Sequence, residues 1–379
     1  MENLTHSLIG AALAGATVPT DASPAQRRAF FITGILAANL PDADLLYTRI
    51  TPPPLGYLLH HRGHTHTIVG LVGIAALIGI VTRLPSIRRA IGGATRPFWL
   101  LVTTALASHL VADAWNSYGV HPFFPVSNRW FYGDAIYILE PWLWTLLGVA
   151  AVSNTRNSRG RWMLAALLVV LPFVGAAIGM FAWPAVVALA VVATAATLAF
   201  RPLHERQRAL ASLAAAACFV VLSFGLRSAA TDRINSADPA AAARTIDLVL
   251  NPRPANPLCW EAMRLTRDDD SVMTVSRATV ALPSTASRTC GRDSSLDWTP
   301  VARQSIGQLR QTARENCAVR AWLQFGRAPA IEAGVIADLR FGSATRGNFS
   351  AMRIEDRYAE TCPPNLTDWT PPRRDLLDD

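Results

Sequence analysis

The stretch HHRGHTHTIVG, residues 60–70, holds four histidines and one arginine within seven residues and leads straight into an apolar run. Two further stretches, NLPDAD at 39–44 and SHLVADAWNSYG at 108–119, add carboxylates and another histidine in equally apolar surroundings. Ionisable side chains are costly in such surroundings, so they are by default candidates for a function. The three stretches together predict a metal site among hydrophobic helices.

Histidines and acids are concentrated in this part of the chain. Residues 1–230 hold only eight acidic side chains, and five of them fall in or near the three stretches. Seven of the eight histidines lie between residues 6 and 121, and residues 231–379 contain none. Random scatter would not cluster them in this way, so we interpret the cluster as one site.

The composition is typical of a membrane protein. With 51% hydrophobic and 16% charged residues, a chain of 379 residues is too apolar for an ordinary soluble protein of two or three domains. Seven apolar runs approach the roughly 20 residues that a membrane-spanning helix needs, and an eighth, residues 4–19, is short enough to insert only halfway. The seven runs are 29–46, 67–82, 98–115, 136–153, 162–180, 183–200 and 209–226.

We therefore expect residues 1–230 to form an all-α polytopic membrane helix bundle of about seven to eight hydrophobic helices, with the lipid bilayer as its partner. The alternative is a large soluble enzyme with buried core helices. The number of apolar runs and the short arginine-rich loops between them argue against that alternative.

The basic residues indicate membrane orientation. All 35 of them are arginine, and the formal charge of +8 belongs entirely to residues 1–230, since residues 231–379 carry 19 arginines and 19 acids. A nucleic-acid-binding protein would carry a basic patch on a soluble module, so we expect no nucleic acid. The positive-inside rule makes the arginine loops cytoplasmic, which places the loops 47–66 and 116–135, and everything after about residue 228, on the extracytoplasmic side.

Residues 231–379 are polar and predict a small extracytoplasmic α+β domain. VMTVSRATVAL (272–282) and VIADLRFG (335–342) are typical of strands, and 302–325 has the apolar spacing of a helix. An even number of cysteines outside the cytoplasm predicts two disulfides, although the sequence does not say which cysteines pair. In a reducing compartment the same cysteines would be unpaired core residues. The four cysteines are Cys259, Cys290, Cys317 and Cys362.

His109 and Asp113 are four residues apart on a predicted helix, so both point the same way. An isolated pair of this kind is usually a stabilising contact, but within an apolar helix it favours metal ligation. In HHRGHTH we choose His61 and His66 as ligands, with His60 and His64 lying behind the ligands or simply exposed. The predicted metal ligands are His6, Asp42, His61, His66, His109 and Asp113.

The residues assigned to catalysis are Arg62, Asp44 and Asp134. The forked guanidinium of Arg62 suits a phosphate or carboxylate, and a spare carboxylate suits a general base. Mixed histidine and aspartate ligands favour a divalent cation, above all Zn²⁺, with Mn²⁺ or Fe as alternatives.

Several motifs resemble those of the YdjM-like (YbcI-like) family of inner-membrane metal-dependent hydrolases. They are THSLIGAALAG, LPDAD, HRGHTH, HLVADAWNSYG with PFFPVSNRWFYGD, and ILEPWLW, while NPRPANPLCW and DLRFG resemble the tail of that family. The TH, PD and H-x3-D pattern is more distantly similar to zinc-dependent phospholipase C. The resemblance implies a metal-dependent hydrolase in the bacterial inner membrane. It implies no role for His121, which lies where the family pattern has no histidine.

Three functions remain open at this point. The first is a hydrolase in which the metal activates water toward a membrane-associated phosphoester or lipid-linked substrate. The second is a protein that binds or transports a metal without chemistry, although transporters place their ligands at the mid-membrane rather than at one face. The third is a structural or regulatory membrane protein that keeps a metal-stabilised core.

Overall fold

The computed structural model describes residues 1–269, 271–283, 290, 296–344 and 346–378. The helices of the N-terminal half are α1 (Asn3–Thr17), α2 (Pro24–Asn39), α3 (Leu55–His60), α4 (Ile68–Val81), α5 (Pro85–Ile91), α6 (Thr95–Asp113), α7 (Pro141–Asn154), α8 (Ser158–Ala177), α9 (Trp183–Phe200) and α10 (Glu205–Ala237). Short 3₁₀ turns cover Leu40–Leu46, Thr48–Ile50 and His64–His66.

Four helices are long and apolar enough to cross a membrane: Pro24–Ile50, α8, α9 and α10. A fifth span exists if Leu55–His66 and Ile68–Val81, which meet at a bend of 68°, count as one broken span. The structure therefore supports about four spans over its described residues. The expectation of seven to eight is not supported.

The spans predicted at α1, α6 and α7 do not form, for two reasons. Helices α1 and α7 contain 15 and 14 residues. At a rise of about 1.5 Å per residue they are shorter than a bilayer core of roughly 30 Å. Helix α6 has 19 residues, but Arg96, His109 and Asp113 interrupt its apolar sequence. Apolar runs in the sequence thus include helices that cover other helices.

Helix α1 lies inside the bundle against α2, α6, α7 and α10. Its contact with α2 is a close approach of two glycines, since a Cβ added at Gly10 would lie 2.3 Å from the carbonyl oxygen of Gly34. Small residues at such a crossing allow two backbones to touch. The crossing brings His6, one turn before Gly10, toward the end of α2.

The C-terminal part is α+β, as expected. Its larger sheet is antiparallel in the order β1 (Thr245–Arg253), β2 (Asn256–Asp269), β3 (Val272–Ala281) and β4 (Thr299–Ser305). A second antiparallel sheet has the order β5 (Pro329–Glu332), β6 (Val335–Asp338) and β7 (Met352–Arg353). The remaining helices are α11 (Pro239–Ala243), α12 (Ile306–Glu315), α13 (Cys317–Trp322), α14 (Arg357–Glu360) and α15 (Arg374–Leu377).

Two details differ from the predicted elements. The strand expected over 335–342 ends at Asp338, because the side chain of Asp338 accepts from the backbone N–H of Arg340 and starts a 3₁₀ turn. The helix expected over 302–325 begins only at Ile306, and Asn316 divides it by capping α13. The prediction of two disulfides is confirmed, with Cys259 bonded to Cys290 and Cys317 to Cys362.

The C-terminal part packs on the loops of the bundle. Leu55, Leu59 and Tyr118 share one hydrophobic core with residues of α12 and α13 and with Trp369. The indole Nε1 of Trp369 donates to the carbonyl of Leu59 at 2.7 Å. The loops that carry the candidate site are therefore clamped between membrane helices and the C-terminal part. Residue 230, our predicted boundary, lies within α10, which continues to Ala237.

Candidate metal centre

The ends of three helices position the candidate ligands. Helix α2 ends at Asn39, and Pro41 begins a 3₁₀ turn that buries Asp42 and Asp44. Helix α3 ends at His60, and the following turn leads through Gly63 to a buried His66. The last turn of α6 carries His109 and Asp113 on one face, four residues apart as the helix period requires.

Four buried side chains converge near these helix ends: Asp42, His66, His109 and Asp113. Nε2 of His66 lies 3.0 Å from Nε2 of His109, 3.1 Å from Oδ2 of Asp113 and 3.4 Å from Oδ1 of Asp42. Nε2 of His109 lies 3.5 Å from each of the same two carboxylate oxygens. Two nitrogens and two oxygens from three separate chain segments thus surround one point.

The Nδ1 partners determine which nitrogens face that point with a lone pair. Nδ1 of His109 donates to the carbonyl oxygen of Ala38 at 2.6 Å, because a carbonyl can only accept. Nδ1 of His66 faces Oδ2 of Asp44 at 3.2 Å and Oγ1 of Thr65, whose own proton goes to Asp44. Neutral imidazoles therefore present two lone pairs to each other, which a cation between them would satisfy. Without a cation, one ring would have to be doubly protonated.

The spacing fits a tetrahedral ion. Donors at ~2.0–2.1 Å from a tetrahedral Zn²⁺ lie about 3.4 Å from one another. The five donor separations measured among these four residues run from 3.0 to 3.5 Å. Among the described residues, Oδ2 of Asp113 has no hydrogen-bond partner although it is buried. The donor set, two imidazoles and two carboxylates, suits Zn²⁺ and also Mn²⁺ or Fe.

A second group of donors shares Asp42 with the first and adds Asp44 and His61. Nδ1 of His61 lies 3.0 Å from Oδ1 of Asp44. The other oxygen of Asp44 accepts from the backbone N–H of Arg62 at 2.9 Å and from Thr65 at 2.8 Å. Asp44 therefore orients two of the four histidines of HHRGHTH, His61 and His66.

Arg62 is buried beside the cluster. Its Nη2 donates to Oδ1 of Asp113 at 2.9 Å, and its Nη1 donates to the carbonyl of Asp113 and to Oδ1 of Asn116. The Met1 amino group contacts the same Oδ1, which leaves Oδ2 facing the imidazoles. Arg62 has φ 59°, a conformation that costs a non-glycine residue about 1 kcal/mol or more. The bond from its N–H to Asp44 helps to hold that conformation.

Not every predicted site residue reaches the group of four. His6 stacks on His109 with ring centroids 3.9 Å apart, and its Nε2 lies 3.3 Å from Asp113, so it adjoins the group. His60 bonds to Thr51, and His64 is exposed near Trp369. Both carboxylate oxygens of Asp134 accept from Arg327 at 2.9 Å. The structure therefore brings Asp134 to the C-terminal part rather than to the cluster.

Sequence reasoning gave no role to His121, yet it supports the site. Its Nε2 donates to the carbonyl of Arg62 at 3.1 Å, and its ring stacks on Trp130. Burial lowers the pKa of His121 to about 4, so the ring is neutral at physiological pH. Asn116 and Tyr118, which follow Asp113 in the NSYG motif, also border Arg62. The helical spacing from Asp113 was a signal for Asn116; no sequence signal pointed to His121.

Comparison with known proteins bears on the N-terminal half. A family model described as YdjM inner membrane protein matches residues 1–183. The match covers all three histidine and aspartate stretches and ends before the C-terminal part. No curated protein and no solved structure matches the chain. These comparisons do not show the likeness to zinc-dependent phospholipase C.

Proposed function

We propose that this chain, whose residues 1–183 match the YdjM inner membrane protein family, is an integral membrane metal-dependent hydrolase. Its substrate class would be a membrane-associated phosphoester or a similar lipid-linked anion. The observation that carries the proposal is the convergence of the His66 and His109 lone pairs with two carboxylates beside a buried arginine. The family description gives a membrane and no reaction, so the reaction is inferred from the site.

Each residue has a role that its contacts support. Asp42, His66, His109 and Asp113 would hold a divalent cation, and that cation when bound would lower the pKa of a water and polarise the scissile group. Asp44 holds Nδ1–H of His61, which leaves the other ring nitrogen of His61 able to accept a proton. The pair of Asp44 and His61 is thus the base that the chain offers.

Arg62 selects the charge of the substrate. Among the residues that the structure describes, its Nε has no hydrogen-bond partner, although the side chain is only 2% exposed. Its planar fork can bind an anionic oxygen while Nη2 stays on Asp113. A phosphoester fits this arrangement best, because guanidinium and phosphate form charge-assisted bonds.

The test measures metal content and turnover on the same protein. Detergent-purified protein loaded with Zn²⁺ or Mn²⁺ would be assayed against phospholipids and generic phosphoesters in lipid, beside Asp113→Asn. We expect Asp113→Asn to lose bound metal and at least about 100-fold in activity, since a catalytic metal contributes several kcal/mol. His64→Ala, which removes an exposed histidine of the same stretch, should match the wild type. Equal activity in wild type and Asp113→Asn would refute the hydrolase.

Metal binding or transport without hydrolysis is the second candidate. The 68° bend between Leu55–His66 and Ile68–Val81 favours it, because broken spans commonly line ion pathways. Stoichiometric metal with no turnover of any ester tested would select this candidate. Uptake of ⁶⁵Zn²⁺ into proteoliposomes, lost in His109→Ala, would then separate transport from simple binding.

A further inference from the structure

A cavity of about 1770 Å³ lies between the membrane helices and the C-terminal sheet. Part of its lining, Asn116 and Tyr118, is next to the candidate metal centre and is called its polar end. Another part is the turn that joins α8 to α9, with Phe181 and Trp183, and is called its apolar end. Pockets for drug-sized molecules measure roughly 300–1,000 Å³, so this one has room for a larger ligand.

Part of the cavity wall is the turn between two candidate membrane spans. Helices α8 and α9 are both long and apolar enough to span a bilayer, and α8 ends at Ala177 while α9 begins at Trp183. The turn between them therefore lies at the membrane–water boundary. Trp183 is 53% exposed there, and tryptophan is enriched at such boundaries. Met263 and Phe341 also line the cavity, so its wall includes apolar side chains.

The end near the metal centre carries two donors. Among the described residues, Nδ2 of Asn116 and Oη of Tyr118 have no hydrogen-bond partner, although these residues are only 3% and 5% exposed. The amide orientation of Asn116 is settled, because its Oδ1 accepts from Nη1 of Arg62 and from the backbone N–H of Tyr118. Buried donors that go unpaired are costly, which points to a ligand that accepts from them.

Arg62 joins this end to the cluster. Its guanidinium binds Asp113 on one side and Asn116 on the other, and it lies 4.6 Å from the centre of the Tyr118 ring. An anionic oxygen that accepts from Asn116 and Tyr118 would therefore sit beside the positive charge of Arg62. The two ends of the cavity, polar and apolar, match the two ends of one amphiphile.

We propose that this cavity binds an anionic membrane lipid, with its phosphate at Asn116 and Tyr118 and its acyl chain along Met263 toward Phe181 and Trp183. This inference rests on the proposed function, since it makes the lipid the substrate and the cavity its entry route from the bilayer. Asn116 and Tyr118 are then positioning residues for the phosphate.

The experiment uses a phosphatidic acid with a diazirine in one acyl chain, photo-crosslinked to the full protein in nanodiscs, with and without EDTA. We expect crosslinks at the α8–α9 turn and at the β2 wall around Met263 in both conditions, because neither donor belongs to the metal ligands. Tyr118→Phe should weaken probe binding roughly 10-fold, the effect of one hydrogen bond to a charged group. Tyr132→Phe is the matched control, since its hydroxyl is also buried without a partner among the described residues but does not line the cavity.

The outcomes separate this inference from the hydrolase. Crosslinks confined to the lipid-facing surfaces of α8 and α9, with equal yield in wild type and Tyr118→Phe, would overturn the cavity as a lipid site whether or not the protein hydrolyses esters. Equal displacement of the probe by glycerol phosphate and by unlabelled phosphatidic acid would also overturn it, because the acyl chain would then contribute nothing. Specific crosslinks without turnover would support the cavity and refute only the hydrolase.

Discussion

The groups that face the Nδ1 atoms of His66 and His109 decide what these histidines can do. A backbone carbonyl holds one ring and a carboxylate holds the other, so both Nε2 atoms are free to coordinate. This arrangement is common around protein metals, where the outer partner sets the tautomer and orientation of the ligand. The outer partner is therefore as testable as the ligand itself.

Asp44→Asn should weaken metal binding ~10- to 100-fold, the usual cost of losing an outer partner. The amide cannot accept as strongly from Nδ1 of His61 and His66, so both rings lose their fixed orientation. Zinc affinity would be measured by competition with a fluorescent chelator, with the exposed Asp21→Asn as control. Unchanged affinity in Asp44→Asn would place the metal, if any, away from these histidines.

His121 predicts a pH dependence of stability. Its pKa is about 4 in the folded protein because of burial, below the unfolded value of ~6.5, so only the unfolded state gains a proton between these values. The free energy of unfolding therefore keeps its full value above pH 6.5 and decreases as the pH falls toward 4. At pH 5 the decrease due to His121 is about 2 kcal/mol. Urea unfolding followed by tryptophan fluorescence at pH 7.5 and 5 would measure it. His121→Gln should lose that part of the pH dependence; an identical dependence in both proteins would contradict the assignment.

Helices of two kinds share the bundle. Helices α8, α9 and α10 are long and largely exposed to the surroundings, whereas α1 and α6 are buried and carry His6, His109 and Asp113. A helix that is packed on other helices does not face lipid along its length, so it can carry polar ligands among its apolar side chains. This explains why these candidate ligands lie on buried helices.

One arginine joins the C-terminal part to the loop before α7. Arg327 binds both oxygens of Asp134 and both oxygens of Asp247, and all of these contacts are 2.7–3.0 Å. Burial alone would lower the pKa of Arg327, but the two carboxylates hold it well above its usual value. Arg327 therefore keeps its charge, and its loss would leave the buried carboxylate of Asp134 without this partner.

Arg327→Met should destabilise the docked C-terminal part by about 3–5 kcal/mol, the cost of breaking a buried pair on one side. Limited proteolysis of the region between α10 and β1 would measure this loss. The control is Arg374→Met, which removes an exposed ion pair with Asp378 and should destabilise by only about 0.3–0.5 kcal/mol. Adding Asp134→Asn to Arg327→Met should restore part of the loss. No change in cleavage rate in Arg327→Met would show that the hydrophobic contacts alone hold the two parts together.

On the scale of the complete chain, membrane orientation and disulfides make one combined prediction. From the arginine loops we expect the C-terminal part to lie outside the cytoplasm, where the bonds Cys259–Cys290 and Cys317–Cys362 would be stable. An alkaline phosphatase fusion at the C-terminus should be active, and one in the loop after α7 inactive. The reverse pattern would invert the orientation.

Reduction tests the disulfides separately. The bond between Cys317 and Cys362 spans 45 residues, and opening a loop of that length costs about 4 kcal/mol in the chain-entropy model. Cys317→Ser with Cys362→Ser should therefore lower the midpoint of thermal unfolding, while Cys218→Ser, at an exposed free thiol, should not. Free thiols at all four positions in protein from the native membrane would refute the disulfides.

The amino-acid sequence was sufficient for the class of protein and for the four side chains that converge, Asp42, His66, His109 and Asp113. Polar ligands in an apolar chain carry a strong signal, since each must be offset by a partner, and the helical spacing of His109 and Asp113 places them on one face without further information. The change to a polar, cysteine-containing C-terminal part was equally readable. These features depend on local composition and on distances along the chain.

The tertiary structure decided what depends on contacts between distant segments. An apolar run does not show how long the helix within it will be, so the number of spans was overestimated at α1 and α7, which are short, and at α6, which carries polar side chains. The carboxylate of Asp134 is separated by 193 residues from its partner Arg327, and no local pattern predicts that pairing. Likewise, the cavity beside Tyr118 is lined by segments that are far apart in the chain, among them the α8–α9 turn and the C-terminal sheet. Burial and ion pairing between remote parts of a chain are properties of the packed molecule.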